Sequence, residues 1–232
     1  MKKLFVLAVM AMFTVASQAQ IVSSRSTGIT KVEQPKNGWS TFGIEYLPSS
    51  LNPDEGDSQS FTGIGLTWTK ATSIMQDHPL FLEAGIGLQY SFYSETEKEE
   101  YYNGYGYSTY EEEENWKMAS VKVPVNLIYS YQVPNTNISV DPYLGLRFRF
   151  NVYGELEEKG DGHGSGSYNL FDKDDMGSSD NTWNRFQLGW QIGVKARFNN
   201  SFFVGLAYGT DFGEVCEKVK INEAQLSLGL VF

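Results

Sequence analysis

From residue 41 onward, apolar and polar residues alternate with a period of two through eight segments. The sixth is the cleanest. Phe186, Leu188, Trp190, Ile192, Val194, Ala196 and Phe198 fall on one side, and Arg185, Gln187, Gly189, Gln191, Gly193, Lys195 and Arg197 on the other. The first sets Phe42, Ile44 and Tyr46 against Thr41, Gly43 and Glu45, and the second centres on Ile64, Leu66 and Trp68. In the third, Leu82, Ala84, Ile86, Leu88, Tyr90 and Phe92 oppose Glu83, Gly85, Gly87, Gln89 and Ser91. The fourth sets Val121, Val123, Val125 and Leu127 against Ser120, Lys122, Pro124 and Asn126. The fifth sets Leu144, Leu146, Phe148 and Phe150 against Asp141, Tyr143, Gly145, Arg147 and Arg149. The seventh carries Phe202, Val204, Leu206 and Tyr208, and the eighth Leu226, Leu228, Leu230 and Phe232. A period of two with one uniformly apolar face predicts β-strands whose outer side meets an apolar medium.

A soluble β-sandwich also alternates, but its strands average about 5–6 residues. Several segments here exceed the roughly 9–11 residues with which a tilted strand crosses hydrocarbon. Lipid tolerates no unpaired backbone, so spanning strands must close into a ring. The predicted fold is all-β: an eight-stranded antiparallel up-and-down transmembrane β-barrel with short periplasmic turns and long extracellular loops. The connections 48–57, 94–115, 152–182 and 212–219 alternate with 70–78, 132–136 and Asn199-Asn200, which assigns the first set to the outside. Residues 94–115 hold eight acids and one lysine, and residues 152–182 eight acids and two lysines, so negative charge is expected to concentrate on the outer surface.

The chain's beginning is consistent with export. Lys2 and Lys3 precede an apolar run from Leu4 to Ala16, and Ser17-Gln18-Ala19 presents small residues for cleavage, so residues 1–19 read as a signal peptide. Residues 20–37 then form a periplasmic leader, and residues 38–232 one barrel domain. Removing Lys2 and Lys3 leaves 16 basic against 28 acidic residues, which excludes a basic face for nucleic acid. Aromatic content of 15% with 23 glycines suits many short strands rather than a helical bundle. Cys216 is the only cysteine and excludes an intramolecular disulfide.

VKVPVNLIY at 121–129 and DPYLGLRF at 141–148 resemble the outer-membrane β-barrel proteins of Bacteroidota, similar in build to PorT and more distantly to OmpX and OmpW. The shared features are Pro124 on the fourth strand and Pro142-Tyr143-Leu144-Gly145 on the fifth; Arg147 departs from the small residue commoner there. A terminal Phe232 preceded by Leu226, Leu228 and Leu230 resembles the assembly signal of bacterial outer-membrane barrels. The resemblance implies residence in the cell outer membrane, contact with its lipid and lipopolysaccharide, and handling by the outer-membrane assembly machinery.

Among the polar positions, Glu45, Glu83, Asp141 and Glu223 are expected to share the lumen with Lys122, Arg147, Arg149, Arg185, Lys195 and Arg197. An eight-stranded barrel is just wide enough for side chains to fill, so these charges read as an ionic network, with a narrow anionic-solute path as the alternative. Tyr101, Tyr102, Tyr105, Tyr107 and Tyr110, interleaved with carboxylates, suit a recognition surface. His163, with Asp161 and Ser165, lies on a Gly/Ser-rich stretch that supplies none of the rigidity a triad needs, and His78 stands beside Asp77 in a predicted turn. Asp172, Asp174, Asp175 and Asp180 lack the EF-hand pattern, with Met176 and Trp183 at ligand positions. No catalytic, cofactor or metal site is expected. The expected function is a non-enzymatic, monomeric, porin-like barrel presenting acidic, tyrosine-rich loops for envelope integrity or surface adhesion to an extracellular ligand. The alternatives are a PorT-like partner of a secretion or envelope-assembly machine, a lipid A-modifying enzyme, or a narrow solute channel.

Overall fold

A computed structural model of the chain describes residues 37–54, 56, 58–75, 78–102, 107–160 and 164–232. The signal-peptide reading, and the leader apart from its last residue, fall outside them. The wall is built from β1 (Gly38–Pro53), β2 (Gln59–Ser73), β3 (Leu80–Tyr102), β4 (Tyr107–Tyr129), β6 (Ile138–Gly160), β8 (Phe186–Phe198), β9 (Phe202–Asp211) and β10 (Val219–Val231). Each pairs antiparallel with its neighbours, and β1 with β10 and β4 with β6 complete a ring of eight. Two short strands are accessory: β5 (Tyr131–Gln132) and β7 (Gly164–Asn169) both pair with β6. A single helical turn, α1 (Lys173–Met176), follows β7 and is capped by the Asp172 side chain.

Alternation in the sequence becomes two surfaces. Ile44, Leu66, Leu88, Leu144, Ile192 and Leu228 lie on the outside with about half their surface free, while Glu45, Gln89, Tyr143 and Gln191 face inward and are buried. Aromatic side chains border the band, with Phe198 stacked on Phe202 at one end (4.8 Å) and Phe150 against Phe186 at the other (5.0 Å). The β8–β9 turn places Asn199 and Asn200 at φ 53° and 49°, the left-handed conformation such hairpins require and asparagine tolerates. Inward glycines are set by the narrow lumen. A Cβ on Gly193 would stand 2.5 Å from Tyr143 Cζ, and one on Gly229 2.8 Å from the Phe203 ring.

The predicted long outer loops are corrected by the structure. Residues 94–115 and 152–182 were expected as loops, yet β3 and β4 stay paired up to Tyr102↔Tyr107, β6 runs to Gly160, and β7 adds a further strand. A strand already registered on the wall extends at no further cost in register, and the Thr and Tyr residues of these stretches favour extended backbone. Likewise β1 reaches Pro53, so its outer connection shortens to residues 54–58. The result is a four-stranded arm, β3–β4–β6–β7, standing beyond the aromatic border. At its base Ser120 pairs with Asn151 and Ala119 with Tyr153, leaving Val152 as a bulge.

Arginine at the bilayer midplane costs roughly 2–4 kcal/mol on such a wall and about 0–1 kcal/mol near the interface. Ile192→Arg, at mid-wall, is therefore expected to lower stability far more than Ile138→Arg at the turn end, measured by urea titration of the protein folded into lipid vesicles.

Candidate functional site

The lumen is stacked in layers. At the end holding the β8–β9 turn, Trp39, Phe81, Ile128, Phe203 and Val231 form an apolar floor. Above it the wall brings buried charges together from strands far apart in sequence. Arg197 lies over the Trp39 ring at 3.6 Å and binds Asp141, Nε to Oδ2 at 2.5 Å, with Ser130 accepting a further hydrogen bond from Nη2 at 2.9 Å. Lys195 Nζ sits 2.6 and 2.8 Å from the two Glu83 oxygens, which also accept from Thr69 and Asn126. Lys122 Nζ meets Glu45 at 2.7 Å, and Gln225 and Thr67 donate to the other oxygen of the same carboxylate.

The central unit has four members. Arg147 bridges Asp211 (3.1 Å) and Glu223, and Arg149 bridges the same two carboxylates at 3.2 Å each. Gln89 donates to Glu223 at 2.9 Å, and Gln187 accepts from Arg149 at 3.1 Å. Across these layers five cations meet five carboxylates, so the described lumen is neutral. A second apolar layer of Phe61, Trp116, Met118, Val215 and Ile221 closes the outer end. Between the two lids the polar layer encloses a cavity of about 30 Å³ beside Glu45, Glu83 and Lys122, room for one or two waters.

Nine of the ten expected lumen charges lie in this network. Arg185 is the correction: it precedes the first β8 residue, is exposed, and rests its guanidinium 4.4 Å from the Phe171 ring. The Asn151 amide still donates to the Arg185 carbonyl, but alternation stops here, where β8 ends and β6 reaches the Val152 bulge beyond which it pairs with β7. Asp211 was missed, although it continues the inward series 203, 205, 207 and 209 of its strand and only its place next to a presumed loop hid it.

Of the surface tyrosines, the backbones of Tyr101 and Tyr102 lie in β3 and those of Tyr107 and Tyr110 in β4, while Tyr105 falls outside the described residues. Asp161 and His163 also fall outside; Ser165 stands on β7 and His78 is exposed. Asp175 accepts from the Asn169 amide and Asp172 from that of Asp174, and no three acids, histidines or cysteines gather as metal ligands among the described residues. Leu226, Leu228, Leu230 and Phe232 all lie on the exposed outer face.

A closed ring with an apolar exterior, bordering aromatics and a filled lumen defines an outer-membrane β-barrel. The chain belongs to the outer membrane protein beta-barrel domain family, whose profile matches residues 41–213, and its place is the cell outer membrane. Solved structures of similar fold include Ail, the attachment invasion locus protein of Yersinia pestis, in complex with the heparin analogue sucrose octasulfate (16% identity, 84% of this chain, 99% of that one, TM-score 0.42). Neisserial surface protein A (14% identity, 83% and 97%, TM-score 0.42) and the outer membrane enzyme PagL (12% identity, 81% and 97%, TM-score 0.44) are also similar. At these identities the likeness is one of fold alone. No curated protein matches the chain.

Removing one member of a buried ion cluster leaves its partners uncompensated, at a cost of about 3–5 kcal/mol. Asp211→Ala should lose stability on that scale, while Arg185→Ala should change it by about 0.5 kcal/mol or less, both measured by urea unfolding in vesicles. Burial, aided by the nearby Glu214 carboxylate, pushes the Cys216 thiol up from its ordinary range. Its thiolate is thus scarcer at any given pH than that of a free cysteine. Iodoacetamide alkylation should rise with pH to a midpoint above the usual value of about 8.5, read by mass spectrometry against a reference thiol.

Proposed function

We propose that the protein is a non-enzymatic surface-contact barrel in which the wall is an anchor and the β3–β4–β6–β7 arm is the working part. The carrying observation is that strand pairing continues out of the wall, past the Val152 bulge, from Phe92↔Lys117 to Tyr102↔Tyr107 and from Met118↔Gly154 to Glu112↔Gly160. Hydrogen-bonded strands hold their side chains in fixed rows, which a contact surface requires and an unstructured loop does not supply. The lumen supports the same reading. Its charges are spent on one another between two apolar layers. Acidic and tyrosine-rich, the arm suits adhesion or cross-contact within the envelope.

Replacing residues 95–113 by an Asn-Gly turn tests this. The barrel should keep its heat-modifiable gel mobility while cells lose surface attachment or exclusion of large antibiotics. Unchanged attachment and exclusion with a correctly folded shortened barrel would contradict it.

A further inference from the structure

Where the arm leaves the wall, its lipid-side face carries charges of both signs that do not meet. Register fixes the side. Tyr153 stands opposite Ala119 and Glu155 opposite Lys117, and these in turn stand opposite Tyr90 and Phe92 of the exposed outer surface. Asn169 of β7 lies opposite Glu155 and Ser167 opposite Glu157, so both share that side. The height is that of the aromatic border, because Arg185 immediately precedes Phe186, whose ring meets Phe150.

A cleft of about 250 Å³ opens here between β6, β7, α1 and the start of β8, bordered by Val152, Tyr153, Glu155, Ser167, Asp175 and Arg185. A guanidinium and two carboxylates share this one space, yet among the described residues none of the three stands in an ion pair. Arg185 rests on the Phe171 ring at 4.4 Å, and its Nη1 donates to the Asn151 and Val152 carbonyls at 3.5 and 3.4 Å. Glu155 accepts from the Tyr153 and Ser167 hydroxyls, and Asp175 from the Asn169 amide at 2.9 Å. These donors are neutral and leave both carboxylate charges uncompensated. Lys117, directly opposite Glu155, places its ammonium on Glu157 at 2.9 Å.

Each charge restricts the ligand. The two carboxylates disfavour a bare phosphate and the guanidinium disfavours a bare amine, so a group holding both signs satisfies the cleft best. A guanidinium fork matches two phosphate oxygens, and an ammonium pairs with carboxylates. The volume falls below the roughly 300 Å³ at which sites for drug-sized ligands begin, which suits a small polar group. The rim is apolar: Val152 is exposed, and Phe150 and Phe186 lie beside it at the level where headgroups meet hydrocarbon. We propose that this cleft binds a lipid headgroup carrying both a phosphate and a primary amine. The phosphate sits on Arg185, the ammonium between Glu155 and Asp175, and the acyl chains descend past Val152. This site is independent of whatever the arm touches above it.

The test uses the full chain folded in uncharged maltoside micelles and short-chain dihexanoyl phosphatidylethanolamine, followed by phosphorus NMR. Dihexanoyl phosphatidylglycerol, which has the phosphate without the amine, should bind the wild type at least fivefold more weakly. Arg185→Gln should weaken the ethanolamine lipid at least fivefold. Glu155→Gln/Asp175→Asn should weaken it as much while binding the glycerol lipid more tightly than the wild type does, so the preference narrows or reverses. Lys220→Gln, at an exposed cation on β10, should change either affinity less than twofold. Heat-modifiable mobility should be retained in every variant, and the two-lipid comparison in the wild type needs no variant at all. Absence of binding, equal affinity of the wild type for the two lipids, or a loss in Lys220→Gln as large as that in Arg185→Gln would overturn the proposal. So would glycerophosphoethanolamine, the same headgroup without chains, binding as tightly as the lipid, since the site would then belong to a soluble ligand.

Discussion

Hydrocarbon supplies no hydrogen-bond partners, and the rest of the structure follows from that constraint. Eight strands close on themselves because a free edge inside the bilayer would leave a row of unmatched amide and carbonyl groups. Closure with eight strands fixes a lumen too narrow for water-filled transport and wide enough only for side chains. Inward positions are then either glycine, where a facing ring needs the space as Tyr143 does beside Gly193, or polar groups that must satisfy one another. The crossed cluster of Arg147, Arg149, Asp211 and Glu223 is the outcome of that demand. Its members come from β6, β9 and β10, so the cluster ties together one arc of the wall.

Charge segregation follows from the same geometry. Inside the wall a cation and a carboxylate can only face each other, and five of each do so. Beyond the aromatic border water screens like charges, and the sheet can set Glu95, Glu114 and Glu158 directly opposite one another. Excess negative charge therefore stands outside the membrane, on strands held in register by the wall beneath them. Anchor and contact surface share β3, β4 and β6.

Much of this was legible in the sequence because a two-residue period is a local property. Phe186 to Phe198 announce both faces of β8 with no knowledge of their neighbours. The inward charges were legible for the same reason, since parity alone puts Lys195 and Arg197 inside. What local parity cannot see is a change of partner. Arg185 keeps the parity of an inward residue, and its carbonyl still accepts from the Asn151 amide, but β8 ends beside it and the side chain finds Phe171 instead of the lumen. The extent of pairing was likewise hidden. Runs such as Glu111 to Glu114 read as solvated loop by composition, and only the register inherited from Trp116 and Met118 makes them strand. Asp211 was missed at a similar boundary, standing just before the expected connection 212–219 as the last residue of its strand.

On the proposed reading, mutual neutralisation of its lumen charges seals this barrel, which acts through what stands above the membrane. Planar-bilayer conductance of the purified, folded protein tests it most directly. The wild type is expected to show no conductance steps, and an Arg147→Ala/Arg149→Ala/Asp211→Ala/Glu223→Ala variant that still folds is expected to show small ones as the cluster is emptied. Stable, ion-selective steps from the wild type itself would contradict the account.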